Sequence, residues 1–146
     1  MSHQHEQMVI EQARAAQAKH PALELVRAWD GSLLVRGAVG FSIHHEGVLI
    51  DDAYHVEISL PGGFPRTIPI AREAGGAIPI DFHQFIKSGN LCLGAPIEVK
   101  RAFAAHRSLL GFIDKQMIPY LFAYSFFRDY GRLPWGELRH GYPGIL

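Results

Sequence analysis

One side chain in this sequence could act as a sulfur nucleophile: Cys92, the only cysteine of 146 residues, set in the run Gly89-Asn90-Leu91-Cys92-Leu93-Gly94. Two readings stay open. A lone cysteine between leucines packs as a small apolar side chain in many globular proteins. In a glycine-bracketed loop, with His83 nine residues upstream, the same thiol as thiolate can attack an acyl carbon and hold it as a thioester. Acyl transfer through sulfur also needs a hydrogen-bond donor for the tetrahedral oxyanion and a route for the proton of the incoming nucleophile. Asn90, Gln84 and the backbone N–H groups of residues 89–91 are candidate donors, although Asn90 reads equally as a turn former after Gly89. His83 reads either as an organiser of the loop or as a structural histidine satisfied by backbone carbonyls. His140, in Arg139-His140-Gly141, either reaches back to the cysteine loop as base or oxyanion donor, or remains an exposed tail histidine.

Other chemistries find less support. A single cysteine closes no intramolecular disulfide and builds no zinc ribbon. His44-His45-Glu46 resembles a ligand cluster, but adjacent strand residues point to opposite faces, so no metal or other cofactor is expected. His3 and His5 sit in the polar N-terminal stretch and are expected to have no role. The Met and Phe residues between Phe103 and Phe127 read as core, while Phe64 and any exposed aromatics are expected to meet partners. Charged residues make up 19% and balance at 14 basic against 14 acidic, and 48% of the chain is hydrophobic. That composition points away from disorder and from a broad nucleic-acid surface. No basic segment precedes an apolar run near the N-terminus, and apolar stretches are broken well before the ~18 residues of a membrane span. A cytoplasmic protein without a membrane segment is expected.

The elements that must position Cys92 follow from periodicity. Residues 2–20, rich in Gln, Ala, Glu and Arg and free of Gly and Pro, predict a surface helix with the stripe Val9, Ala13 and Ala16, ended by Pro21. The runs LELVRAW, SLLVRGAVGFSI and YHVEISL predict an antiparallel meander, with turns at Asp30-Gly31 and Glu46-Gly47 and HHEG read as a turn. The Pro- and Gly-rich stretch after Leu60 predicts a long irregular connection with a short edge strand near residues 68–72. Residues 97–130 then turn helical, with Phe103, Leu109, Phe112, Ile113, Met117, Leu121 and Phe126 on one face and a kink or split expected at Pro119. The tail from Gly131 is expected to be irregular but packed through Trp135, Tyr142 and Ile145. The whole, residues 1–146, reads as one α+β domain with helices segregated from a four-stranded meander.

The segment from Tyr54 to Leu93 resembles the core of the ubiquitin-conjugating enzyme (UBC-like) fold. The residues that carry the likeness are Tyr54, Ile58, Pro61, Phe64, Pro65, Pro69, His83, Gly89, Leu91, Cys92 and Leu93: a strand, a Pro-rich segment with an aromatic before its second proline, a His, a Gly and an apolar-Cys-Leu. The order of elements along the rest of the chain follows the same family. Three departures stand out, one being that the tryptophan that usually follows the cysteine is missing. Where the eukaryotic pattern has His-Pro-Asn this chain has His83-Gln84-Phe85, so the oxyanion-supporting Asn is absent, and the tail GELRHGYPGIL has no eukaryotic counterpart. These features look more like divergent bacterial members, which occur with ubiquitin-like modifiers and activating enzymes in small conjugation systems, some of them antiviral.

The resemblance implies a modifier arriving on an activating enzyme, passing to Cys92 as a thioester, and leaving by attack of an amine on a target protein. Cys92, His83, His140 and Asn90 are the site residues it implies, with the modifier, the activating enzyme and the target as partners. The rival reading is a UBC-like or RWD-like binding module without chemistry, which would have no need of a cysteine at this position. A free-standing cysteine hydrolase fits less well, because no Asp or Asn is recognisably placed to orient a histidine. The ending Gly144-Ile145-Leu146, without Gly-Gly, argues against the chain being the modifier itself.

Overall fold

Two thirteen-residue strands, β2 (Leu33–His45) and β3 (Val48–Leu60), form the spine of the fold. They pair antiparallel without interruption from Leu33↔Leu60 to His45↔Val48. The loop between them is Glu46-Gly47, with φ of 53° and 77°, the left-handed pair that lets a two-residue turn follow the strand twist. In this computed structural model, which describes residues 3–79, 82, 91, 93 and 96–134, β1 (Glu24–Arg27) adds to β2 and β4 (Ile70–Glu73) to β3, giving the order β1-β2-β3-β4. Strand β3 starts six residues before the expected Tyr54, and His44 and His45 belong to β2 rather than to a turn. The reason is the inward face: Ile50, Tyr54, Val56, Ile58 and Leu60 are all buried, and the alternation extends past the acidic pair Asp51-Asp52.

The opposite face of the sheet is polar. Glu24, Arg36, Glu57 and Arg72 lie side by side across the four strands, with Arg36 bonded to Glu24 at 3.2 Å and Arg72 to Glu57 at 3.0 Å. Such exposed pairs add little stability, but they neutralise their arginines. On the inner face Gly37 has φ 144°, and a Cβ there would come within 2.2 Å of the Ala22 carbonyl. A glycine is what lets the connection from the first helix cross the sheet this closely.

Helix α1 (His3–Lys19) buries Val9, Ala13 and Ala16 as expected and packs on β1 and α3 (Leu109–Phe112). Polar side chains fix its position. Gln12 Oε1 accepts from the Leu109 N–H at 2.9 Å, and Asp114 accepts from Lys19 at 2.7 Å and pairs with the buried His20 at 3.0 Å. His5, expected to be idle, has Nε2 2.7 Å from the Phe64 carbonyl oxygen, which ties the start of α1 to the Pro-rich connection.

The C-terminal half departs from the single kinked helix that periodicity suggested. Helix α2 (Pro96–Ala105) ends at residues 106–108, and a second rod runs through α3, a π-helical turn (Ile113–Met117) and α4 (Ile118–Tyr130). The break falls at Ser108, whose hydroxyl caps α3 by accepting from the Gly111 N–H at 2.9 Å. Pro119 lies in the first turn of α4, directly after the π-helical turn. A proline there lacks an N–H and crowds the preceding turn, and the wider π turn lets the rod continue past it. Gly131, φ 73°, closes α4 by donating to the Phe127 carbonyl at 2.8 Å. The tail residues Trp135, Tyr142 and Ile145 lie outside the described residues. Among the described residues no helix is long and apolar enough to cross a membrane.

Candidate functional site

The residues on either side of Cys92 have defined places. Leu91 is buried, and its N–H donates to the carbonyl of Ala71 in β4 at 2.8 Å. Because Ala71 pairs with Ile58 on its other side, Leu91 joins the sheet at its β4 edge. Leu93 is half-buried against the core and borders a cleft of about 230 Å³ between α2 and the π-helical turn, lined also by Glu98, Val99, Lys115, Gln116 and Pro119. Cys92 itself lies outside the described residues. So do His83, Asn90, His140 and Gln84, and the structure brings none of these expected site residues together or apart.

The segment that leads into His83 is held from α4. Tyr120 donates its hydroxyl to the Phe82 carbonyl at 2.7 Å, and Tyr124 donates to the Ala77 carbonyl at 3.2 Å. The Phe82 ring lies 5.0 Å from Tyr124, 5.8 Å from Tyr120 and 5.4 Å from Phe127. At the other end of this segment Glu73 accepts from the N–H groups of Gly75 and Ile78 at 2.8 and 2.9 Å. Phe64, expected to face partners, is instead fully buried, its ring 6.4 Å from Phe103. The proline-rich connection is thus anchored in the core by its aromatic residue, since an aromatic side chain gains more from burial there than it would from exposure.

The π-helical turn places one unusual atom beside Leu93. Gln116 is buried and donates Nε2–H to the Val99 carbonyl at 3.0 Å, while its Oε1 has no hydrogen-bond partner among the described residues. A buried acceptor left so costs free energy, and π-helical turns gather at functional sites. On the other side of α2 lies a second cleft, of about 420 Å³, lined by Arg66, Thr67, Ile68, Lys100, Phe103 and Arg107.

A polar network joins sheet to helix at the far end of β3, and sequence reasoning missed it. Asp52 Oδ2 accepts from Ser125 Oγ at 2.8 Å and from Arg128 at 2.8 Å, and Tyr54 OH is 2.6 Å from Ser125 Oγ. Burial pushes the Asp52 carboxyl up, but hydrogen bonds from Ser125, the Ala53 N–H and Arg128 outweigh it and hold the group below its usual range. Burial, aided by the Asp52 charge, raises the Tyr54 phenol to about 12. The available signal was the spacing of Asp52 and Tyr54 by two, which puts both on the core face of one strand. With Ser125 fully buried, the network is a clamp between β3 and α4 and presents no accessible nucleophile.

The two adjacent histidines of β2 diverge as strand geometry requires: His44 is exposed, while His45 is half-buried and donates to the Pro134 carbonyl at 2.9 Å. Among the described residues no three His, Cys, Asp or Glu side chains gather into a metal-binding group. The sequence matches no family model, and neither the curated proteins nor the solved structures compared with it show a match.

Proposed function

We propose that the chain is a ubiquitin-conjugating-type acyltransferase that accepts a ubiquitin-like modifier on Cys92 and passes it to an amine of a target protein, in a bacterial conjugation system that serves antiviral defence. The observation that carries this reading is the Leu91 to Ala71 hydrogen bond at the β4 edge. It sets the residue before Cys92 at the sheet edge of a helix–meander–proline-rich-loop–helix order, which is the order the resemblance implies. In the first step the Cys92 thiolate attacks the thioester carbonyl on the activating enzyme; a new C–S bond forms and the activating enzyme's thiolate leaves. In the second an amine attacks the carbonyl on Cys92, a C–N bond replaces the C–S bond, and the amine proton passes to a base or to water.

His83 organises the loop that carries the cysteine, and the grip of Tyr120 and Tyr124 on the preceding segment supports that role. Asn90 and His140 supply oxyanion donors where the eukaryotic asparagine is missing. Incubation with the modifier, the activating enzyme and ATP tests the reading: a reductant-labile adduct is expected on the wild type. A folded chain that never takes an adduct overturns it in favour of a UBC-like binding module.

A further inference from the structure

Half of the described lysines and arginines are ion-paired: Lys19, Arg27, Arg36, Arg72, Arg128 and Arg132. Of those that are not, Arg66, Lys100 and Arg107 line one cleft, and among the described residues no acidic side chain lines it with them. The chain as a whole has no net charge, so this gathering is local. Favourable interaction with the C-terminal end of α2 accounts for Arg107 at most. Lys100 lies mid-helix and Arg66 comes from the proline-rich connection on the opposite wall. Three like charges along one concavity repel one another, and a bound anion relieves that repulsion. Between them the floor is apolar, formed by the buried Phe103 and the half-buried Ile68, with the Thr67 hydroxyl at the side.

We infer that this cleft docks an acidic segment of a partner protein, two or more carboxylates flanking one apolar side chain, with Arg66 and Lys100 on opposite walls taking the carboxylates and Phe103 and Ile68 taking the apolar group. The apolar floor sets it apart from a plain phosphate cradle. Three cations are too few for salt-resistant nucleic-acid binding, which draws on more phosphate contacts, and no aromatic side chain stands exposed in the cleft to stack a base. The inference does not depend on an acyl group on Cys92.

The test is fluorescence anisotropy on the full chain with a fluorescein-labelled Glu-Glu-Leu-Glu-Glu peptide, repeated with Glu-Glu-Ser-Glu-Glu, with labelled oligo-dT and with inorganic phosphate as competitor. The leucine peptide should bind, and raising NaCl from about 50 to about 200 mM should weaken it severalfold, because the contacts are screened charges. Arg66→Gln with Lys100→Gln should weaken it at least about tenfold, Lys100→Glu alone should do so as well, and Arg14→Gln on α1 should leave it unchanged. Equal binding of the serine peptide, full displacement by millimolar phosphate, or tighter binding of oligo-dT would each overturn the inference. So would unchanged affinity in both variants at wild-type melting temperature.

Discussion

The N–H of Leu91 donates to the carbonyl of Ala71 at 2.8 Å, so the residue before the cysteine is bonded to the edge strand of the sheet. Ala71 sits in β4 beside Ile58 of β3, and the Leu91 side chain is buried in the same core.

Leu91→Ala should therefore destabilise the fold as a large-to-small core change does, by about 2–5 kcal/mol. Urea unfolding monitored by far-UV circular dichroism reads it. A loss below about 0.5 kcal/mol would mean that Leu91 is not packed as described.

The tyrosines of α4 provide a second handle. Tyr120→Phe removes the hydrogen bond to the Phe82 carbonyl and should cost about 1 kcal/mol, a shift of roughly 2–4 °C in melting temperature for a chain of this size. Because Phe82 precedes His83, the variant should also slow transfer from Cys92 more than the stability loss alone accounts for. Calorimetry with single-turnover discharge separates the two effects, and a variant with normal discharge would make Tyr120 structural only.

The Asp52 clamp gives a pH dependence whose sign is fixed. Asp52 titrates below its ordinary 3.8 in the fold, so its contribution is present above that value and is lost as the pH falls through the lower folded value. Asp114, held down by Lys19 and His20 against the upward push of burial, behaves alike. Wild-type stability should fall as the pH drops below about 4, and Asp52→Asn should be less stable at pH 7 but lose less on acidification. Tyr54 works in the opposite sense: its folded value is raised to about 12, so its contribution is present below pH 10 and lost as the pH rises through the folded value. Phenolate absorbance should show a late-titrating component that is reduced in Tyr54→Phe.

For the tail the expected effect is kinetic. If His140 supplies an oxyanion donor worth about 3 kcal/mol, His140→Ala should slow discharge of the thioester to a lysine amine roughly a hundredfold while thioester formation changes less. Rapid-quench discharge assays measure this. A normal rate would leave Asn90 and the backbone N–H groups of the cysteine loop as the oxyanion donors.

What was legible in the sequence was local. The alanine stripe of α1, the two hairpin turns and the edge strand near Ile70 follow from period and turn chemistry, which act over a few residues. The extension of β3 back to Val48 was hidden because the acidic pair Asp51-Asp52 interrupts the apolar run before Tyr54, and only the fold gives Asp52 its partners Arg128 and Ser125 from α4. The break before Ser108 was misplaced to Pro119 because a π-helical turn leaves no periodic mark strong enough to show that the rod tolerates a proline. Phe64 was assigned to the surface by its Pro- and Gly-rich surroundings, although the ring is wholly buried. The bond from His5 to Phe64 spans too much sequence to be read from composition. Of the candidate site, Cys92 is an expectation from the sequence that lies outside the described residues, while the bond from Leu91 to Ala71 is a long-range contact that only the fold supplies.

The most direct test of the central claim is mass spectrometry of the chain after incubation with modifier, activating enzyme and ATP, with and without reductant. The account predicts one added modifier on Cys92, removed by reductant, a reductant-resistant oxyester on Cys92→Ser and no adduct on Cys92→Ala. Target conjugation at the wild-type rate by Cys92→Ala, with no thioester on the native chain, would contradict it.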